Sequence, residues 1–376
     1  MKKIVIAVDS FKGSASSTEA AEYLSRGLIQ ANQSVEVTKV PLADGGEGTV
    51  TAILSATDGK SMTTKVSGPV GGQMDAKWGL IDDQTAVIEM AAAAGFTQDK
   101  NRDVALKSTY GVGELIQTAI DHGVTKIYLG LGGSSTNDGG VGMAQALGGH
   151  FLDQNGAEIT QGIDGLGHLA KIDLTGLQER LRQVQVIGLS DVDNPLTGET
   201  GATQVFGPQK GVGPDQIGLF DHRLHRLADL TASSLGDDFS NVPGVGAAGG
   251  LGFGVLAFLG GRLTSGINAI IHIVGLQTII QDADLVITGE GQIDRQTLNG
   301  KLPMGVLKVA QQAKVPIIAV AGSVSDHIQP LYEQGFDLIV STTTRPMSVS
   351  DAISAAPELI TQTGYRLGKM LLFGKN

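Results

Sequence analysis

The 376-residue chain contains no cysteine. Disulfides, zinc sites built on thiolates and a thiol nucleophile are therefore excluded. Aromatic residues make up only 4% of it, with a single tryptophan, too few for a base-stacking surface. Basic residues are in deficit: 27 Lys and Arg face 38 Asp and Glu, a formal net charge of −11. That balance argues against nucleic acid and anionic membrane as partners, and no basic helix-turn-helix pattern is present. The 7 histidines form no H-x-x-x-H pair beside an acid, which argues against a zinc hydrolase. Long apolar runs are missing as well. Residues 1–8 begin like a signal peptide, but Asp9 ends the apolar run too early. The longest uncharged stretch, residues 244–261, is crowded with glycine and reads as a buried loop and helix, not a membrane span. The expectation is a soluble, cytoplasmic protein without nucleic acid or membrane partners.

What the chain has in abundance is glycine, 54 residues of it, in bursts beside charged residues. Such bursts suit backbone that turns sharply and approaches a ligand closely. With 41% hydrophobic residues over this length, the chain is long enough for more than one core.

Periodicity predicts a strand at 4–8, a helix at 17–30, a strand at 35–41 and a helix at 47–57, the start of a parallel sheet. Residues 62–90 then hold three strand-like runs separated by turn signals, an antiparallel meander. A helix at 112–121 and strands at 126–131 and 184–189 follow, with Gly-rich loops expected over the rest. The α/β rhythm returns with strands at 283–288, 316–321 and 337–341 and helices at 303–313 and 326–334. The fold class expected is α/β: a doubly wound parallel-sheet domain of residues 1–60 plus 281–376, interrupted by an inserted α/β domain, 61–280, with antiparallel strands. Two consecutive domains split near 180 are the rival arrangement.

Ligands of open α/β sheets bind at the carboxyl ends of the strands. Polar, Gly-rich segments stand there: Asp9-Ser10-Phe11-Lys12-Gly13, residues 41–48 with Asp44 and Glu47, residues 288–294 with Gly289, Glu290 and Asp294, and Gly322-Ser323. Each alone reads as a turn with a helix cap; together they suggest a shared site. Residues 130–140, with Gly132, Gly133, Ser134, Asn137 and Asp138, run from a strand into an apolar stretch. A Gly-rich loop entering a helix presents N–H groups to an anion, so this is the expected phosphate cradle, although no lysine makes it a Walker A loop. Residues 244–249 match G-x-G-x-x-G without a preceding buried strand, a weak dinucleotide signal. Asp191 and Asp193, one residue apart after an apolar strand, suit Mg²⁺ or an Asx-turn before Pro195. Lys210 and Lys301 sit in glycine turns. The inventory of carboxylates, lysines and Gly-rich loops fits phosphoryl transfer without naming an acceptor.

Seven segments in this order resemble the bacterial glycerate kinases: DSFKG at 9–13, PLADGGEG at 41–48, GLGGSSTNDGG at 130–140, DVDNPLTG at 191–198, FGPQKG at 206–211, GAAGGLG at 246–252 and TGEGQIDRQTLNGKLP at 288–303. The resemblance implies ATP-dependent phosphorylation of D-glycerate with Mg²⁺, 2-phosphoglycerate as the favoured product, and a flavodoxin-like domain with a second α/β domain inserted. It departs from the family at Ser190, where cysteine is frequent, and Ser135, where alanine is common. Carried onto this chain, Lys12, Asp44, Asp191 and Lys301 are candidate catalytic residues. Ser10, Gly132, Gly133, Ser134, Asn137, Asp138, Gly289 and Glu290 are candidates for binding nucleotide. Asp191, Asp193 and Asp294 are candidates for the metal. Transfer is expected in an interdomain cleft, and a homo-oligomer is possible on these grounds. The alternatives are a kinase of another small hydroxy acid, a flavin or nucleotide binder without transferase activity, and a sugar-acid sensor.

Overall fold

A computed structural model describes residues 2–96 and 103–372. The chain separates into two compact units, residues 1–44, 51–57 and 267–376, and residues 45–50 and 58–266. In chain order the strands are β1 (Lys2–Val8), β2 (Val35–Lys39), β3 (Lys60–Ser67), β4 (Gln73–Asp82), β5 (Thr85–Glu89), β6 (Lys126–Gly130), β7 (His150–Leu152), β8 (Lys171–Asp173), β9 (Gln185–Leu189), β10 (Arg262–Thr264), β11 (Leu285–Ile293), β12 (Ile317–Val324) and β13 (Leu338–Ser341). The whole is a mixed α/β structure with parallel and antiparallel pairing.

The first unit holds one sheet in the order β13-β12-β11-β1-β2, parallel throughout. Its inner strand β1 is buried from Ile4 to Val8, as a strand covered on both faces must be, which is why that stretch reads as an unbroken apolar run. Ile4, Ile6 and Val8 share a core with Ala20, Ala21, Leu24 and Leu28 of the helix Ser17–Ala31 and with Ile360 and Leu367 of the helix Ala356–Met370. Ser16 and Glu19 close a capping box at the start of the first of these helices, satisfying N–H groups that the helix leaves open.

Two strands run further than their composition suggests. β11 continues to Ile293 and β12 to Val324, pairing Gln292 with Ser323 and Ile293 with Val324. Glu290 therefore lies in a strand and not in a turn. Glycine-rich stretches read as turns locally, but a partner strand that satisfies the backbone overrides that preference.

The second unit is built on a six-stranded mixed sheet, β10-β9-β6-β5-β4-β3, with β7 and β8 as a separate antiparallel pair. β3–β4 and β4–β5 are antiparallel, the meander expected from 62–90, and the remaining pairs are parallel. Trp78, Phe151, Phe253 and Phe258 are fully buried in its core, and the Trp78 indole N–H donates to Thr64 Oγ1 at 3.0 Å. The region expected to be mostly loop contains a 22-residue helix, Pro214–Leu235, buried along Phe220, Leu224, Leu227, Ala228 and Thr231. Its signals were in the sequence: proline in the first turn, glycine just after the last, and apolar residues three and four apart. Among the described residues no helix is long and apolar enough to cross a membrane.

Candidate active site

At the carboxyl edge of the first unit's sheet, β1 lies between β11 and β2. The chain leaves β1 toward one side for β2 and returns on its other side as β11. Such a switch point is where open parallel sheets bind ligands. Asp9 follows β1 directly. Its N–H donates to Gly289 O at 2.9 Å, and its Oδ1 accepts from Ser10 N–H at 2.6 Å. Only 7% of Asp9 is exposed. Burial pushes its carboxyl up to about 7; Asp44 and Glu290 push the same way, and the Ser10 N–H and Lys12 oppose them. Ser10 itself is half-buried.

Lys12, exposed in the same loop, lies 3.3 Å from Asp44 Oδ2. Asp44 holds its ammonium above the usual lysine range, with burial opposing and Asp9 and Glu290 adding to the effect. Lys301, at the start of the helix Leu302–Ala313, sits 3.8 Å from Glu290 Oε2 and 3.7 Å from Asp294 Oδ1. Glu290 Oε1 also accepts from Thr297 Oγ1 at 3.0 Å. Burial raises the Glu290 carboxyl, against the pull of Lys301 and Thr297. Asp294 caps a 3-10 turn, accepting from Gln296 N–H at 2.8 Å. Both of its oxygens already meet donors within the chain, Oδ2 from Gln292 at 3.4 Å. Its first job is thus to shape the turn that presents Lys301. Gly289 is buried within the ladder, paired with Val8 and Val320. A Cβ there would stand 2.1 Å from the Val320 carbonyl oxygen, so strand packing accounts for this glycine. The first unit thus brings Lys12 together with Asp44, and Lys301 with Glu290 and Asp294.

In the second unit the 130–140 segment is largely interior. Gly132 is half-buried and Gly133 exposed, whereas Ser134, Ser135, Thr136, Asn137 and Asp138 are all buried. Asp138 accepts from Thr109 N–H at 2.8 Å, Thr109 Oγ1 at 2.9 Å, Gly140 N–H at 3.1 Å and Gly142 N–H at 3.2 Å. Within the segment the Gly140 N–H is thus turned onto a carboxylate of the chain, and the N–H groups of Ser135 and Gly139 onto the carbonyls of Ala94 and Gly249; the helix that follows, Val141–Ala146, is only 6 residues long. Asn137 Nδ2 donates to Thr203 Oγ1 at 2.8 Å. Buried Lys210 donates to Thr136 O at 2.7 Å; burial lowers its ammonium to about 7, with Asp138 opposing. Gly249, at φ 69°, lets its backbone pass where a Cβ would come within 2.1 Å of Thr136 O. This geometry gives Asn137 and Asp138 the task of holding the loop. The Gly132 N–H donates to Gly45 O at 3.5 Å, so the exposed Gly133 is the loop's accessible part.

Asp191 and Asp193 are exposed in the segment after β9. Asp191 Oδ1 accepts from Ser265 Oγ at 2.6 Å. Glu47 is exposed, and the adjacent helix Thr49–Ala56 has its Val50 N–H on Glu89 Oε1 at 2.7 Å. Among the described residues no three His, Asp or Glu side chains converge as a metal cage. Mg²⁺ commonly takes one or two carboxylates and completes its shell with phosphate oxygens and water. The hard oxygens of Asp191 and Asp193 fit that partial role.

The residue that sequence reasoning passed over is Asp9, quoted in a motif but given no role. Its signal was present: a carboxylate placed directly after a fully apolar strand starts out buried unless the chain turns it away.

The profile of the glycerate kinase family matches residues 4–372. The chain is 45% identical to a glycerate kinase of Bacillus subtilis (strain 168), over 99% of this chain and 98% of that one. It is 42% identical to the glycerate 2-kinase of Escherichia coli (strain K12), over 99% of this chain and 98% of that one. A crystal structure from Salmonella typhimurium LT2, provisionally assigned as glycerate kinase 2, superposes with a TM-score of 0.87 at 42% identity, over 100% of both chains. The chain belongs to the glycerate kinase family and is a kinase.

Proposed function

We infer that the protein transfers the γ-phosphoryl group of ATP to a hydroxyl of D-glycerate, with 2-phosphoglycerate the favoured product. The observation that carries this reading, beside membership of the family, is a pair of lysines each held by carboxylates at one sheet edge: Lys12 by Asp44, and Lys301 by Glu290 and Asp294. Phosphoryl transfer asks the protein chiefly for positioning and for cations that meet charge on the transferring group. Lys12 and Lys301 supply that charge, and their carboxylate partners hold the ammonium groups in place. Ser10, Gly132, Ser134 and the exposed Gly133 are read as nucleotide contacts. Asp191 and Asp193 would hold Mg²⁺, which when bound neutralises phosphate charge. The strand order of the first unit, read within that unit as 2-1-3-4-5, supports a flavodoxin-like domain. The second unit is read as a domain inserted into it.

The test is to follow ADP release from MgATP with D-glycerate, and to couple the product to enolase without phosphoglycerate mutase. Signal in both is expected. ADP release without enolase signal moves the phosphate to the 3-hydroxyl. Absence of glycerate-dependent ADP overturns the acceptor.

A further inference from the structure

We propose that Asp9 is the general base of the transfer reaction, taking the proton of the acceptor hydroxyl as its oxygen attacks the γ-phosphorus. The proposal rests on the phosphotransfer reading above. In this step an O–P bond forms to the acceptor and the P–O bond to the β-phosphate breaks. The electron pair of that bond leaves with ADP. The proton passes to Asp9 and from there to water once product departs.

A base must be held rigidly, must reach the hydroxyl, and must have a proton affinity near that of the working pH. Asp9 meets the first condition because it follows the buried stretch Ile4 to Val8 of β1 and its backbone is pinned to Gly289 at 2.9 Å. Ser10 N–H fixes one carboxylate oxygen at 2.6 Å. For the second, the described residues give the other oxygen no hydrogen-bond donor, so its lone pairs are left to accept from a hydroxyl. The remaining carboxylates at this edge are differently engaged: Asp44 on Lys12, and Glu290 and Asp294 on Lys301. Their oxygens are already committed to the lysine ammonium groups, so these carboxylates serve as holders of those lysines. The charged groups facing Asp9 come from three segments: Lys12 from its own loop, Asp44 from the segment after β2 and Glu290 from β11. Burial, with Asp44, brings its carboxyl to about 7, where it both accepts and releases a proton readily.

This assignment separates Asp9 from a residue that merely shapes the loop. Asp9→Asn keeps the shape and removes the base. The expected result is a fall in kcat/KM of about 100-fold or more, with affinity for MgADP, measured by calorimetry, unchanged. In the wild type kcat/KM falls as pH drops through about 7, because the base must be ionised. Asp44→Asn moves this acid limb to lower pH, since it removes a repelling charge, and Lys12→Met moves it to higher pH. These opposite shifts leave position 9 untouched and hold even if Asp9→Asn folds poorly. A folded Asp9→Asn protein with wild-type kcat/KM overturns the proposal, as does an acid limb that neither neighbour moves. Where glycerate is not phosphorylated but another hydroxy acid is, the acceptor reading fails and the same variants test Asp9 on that acid. A protein that transfers phosphate to no hydroxy acid overturns both.

Discussion

Two buried aspartates, Asp9 and Asp138, stand in glycine-bearing loops that look alike in sequence and are opposite in their surroundings. Asp138 is enclosed by four donors, from Thr109, Gly140 and Gly142. Among the described residues Asp9 has one donor, the N–H of its neighbour Ser10, and two like charges close by. Burial raises the carboxyls of both. At Asp138 four hydrogen bonds oppose that rise and tie the carboxyl to the surrounding chain, so it organises a loop. At Asp9 only the Ser10 N–H and Lys12 oppose it among the described residues, so the group is poised to change its proton. A buried acid that is fully hydrogen-bonded belongs to the scaffold, and one left short of donors is available for chemistry.

The comparison breaks most severely if Asp138 is expendable. Asp138→Ala strands buried N–H groups, and urea unfolding is expected to show a loss of about 3–5 kcal/mol; a wild-type midpoint would mean the loop does not need its anion. Next come the residues assigned to phosphate and metal. Lys12→Ala and Asp191→Asn are each expected to lower kcat/KM by about 100-fold while the unfolding midpoint holds. Normal steady-state kinetics in either folded variant removes that residue from the site. Gly249→Ala, which forces a Cβ toward Thr136 O at a positive φ, should cost about 1–3 kcal/mol, and a loop that tolerates it would not be supported from that side. The smallest effect sharpens the contrast from the other end. A carboxyl raised to about 7 from an ordinary 3.8 stabilises the fold most below its unfolded value and loses that contribution as pH rises toward 7. Asp9→Asn is therefore expected to raise stability at pH 8 by about 1 kcal/mol or more, and the gain should vanish near pH 4. Thermal unfolding at the two pH values checks the sign; a loss at pH 8 would make Asp9 a structural residue like Asp138.

Much of this molecule was legible along the chain. The apolar run of β1, the strand-like runs of β3, β4 and β5 between turn signals, and the return of the α/β rhythm near the end are local patterns, set by residue type and spacing. The glycerate kinase resemblance was likewise carried by short segments in order, and the family profile spans residues 4–372. Other elements were present but outweighed. The helix Pro214–Leu235 has its start, stop and apolar spacing in the sequence, yet the glycines around it suggested loop. β11 and β12 extend because each satisfies the other's backbone, a pairing between residues such as Gln292 and Ser323 that no local window contains.

The sequence by itself determined the family, the α/β class and the segments that carry chemistry, because those depend on residue type and spacing. Only the tertiary structure decided which polar groups are already answered. Asp138 finds Thr109 N–H, 29 positions away in the chain. Lys301 is held by Glu290 and Asp294. Among the described residues Asp9 is left with a single neighbour's N–H. Hydrogen-bond satisfaction and desolvation are properties of the space around a group, and that space is made by elements distant in the chain.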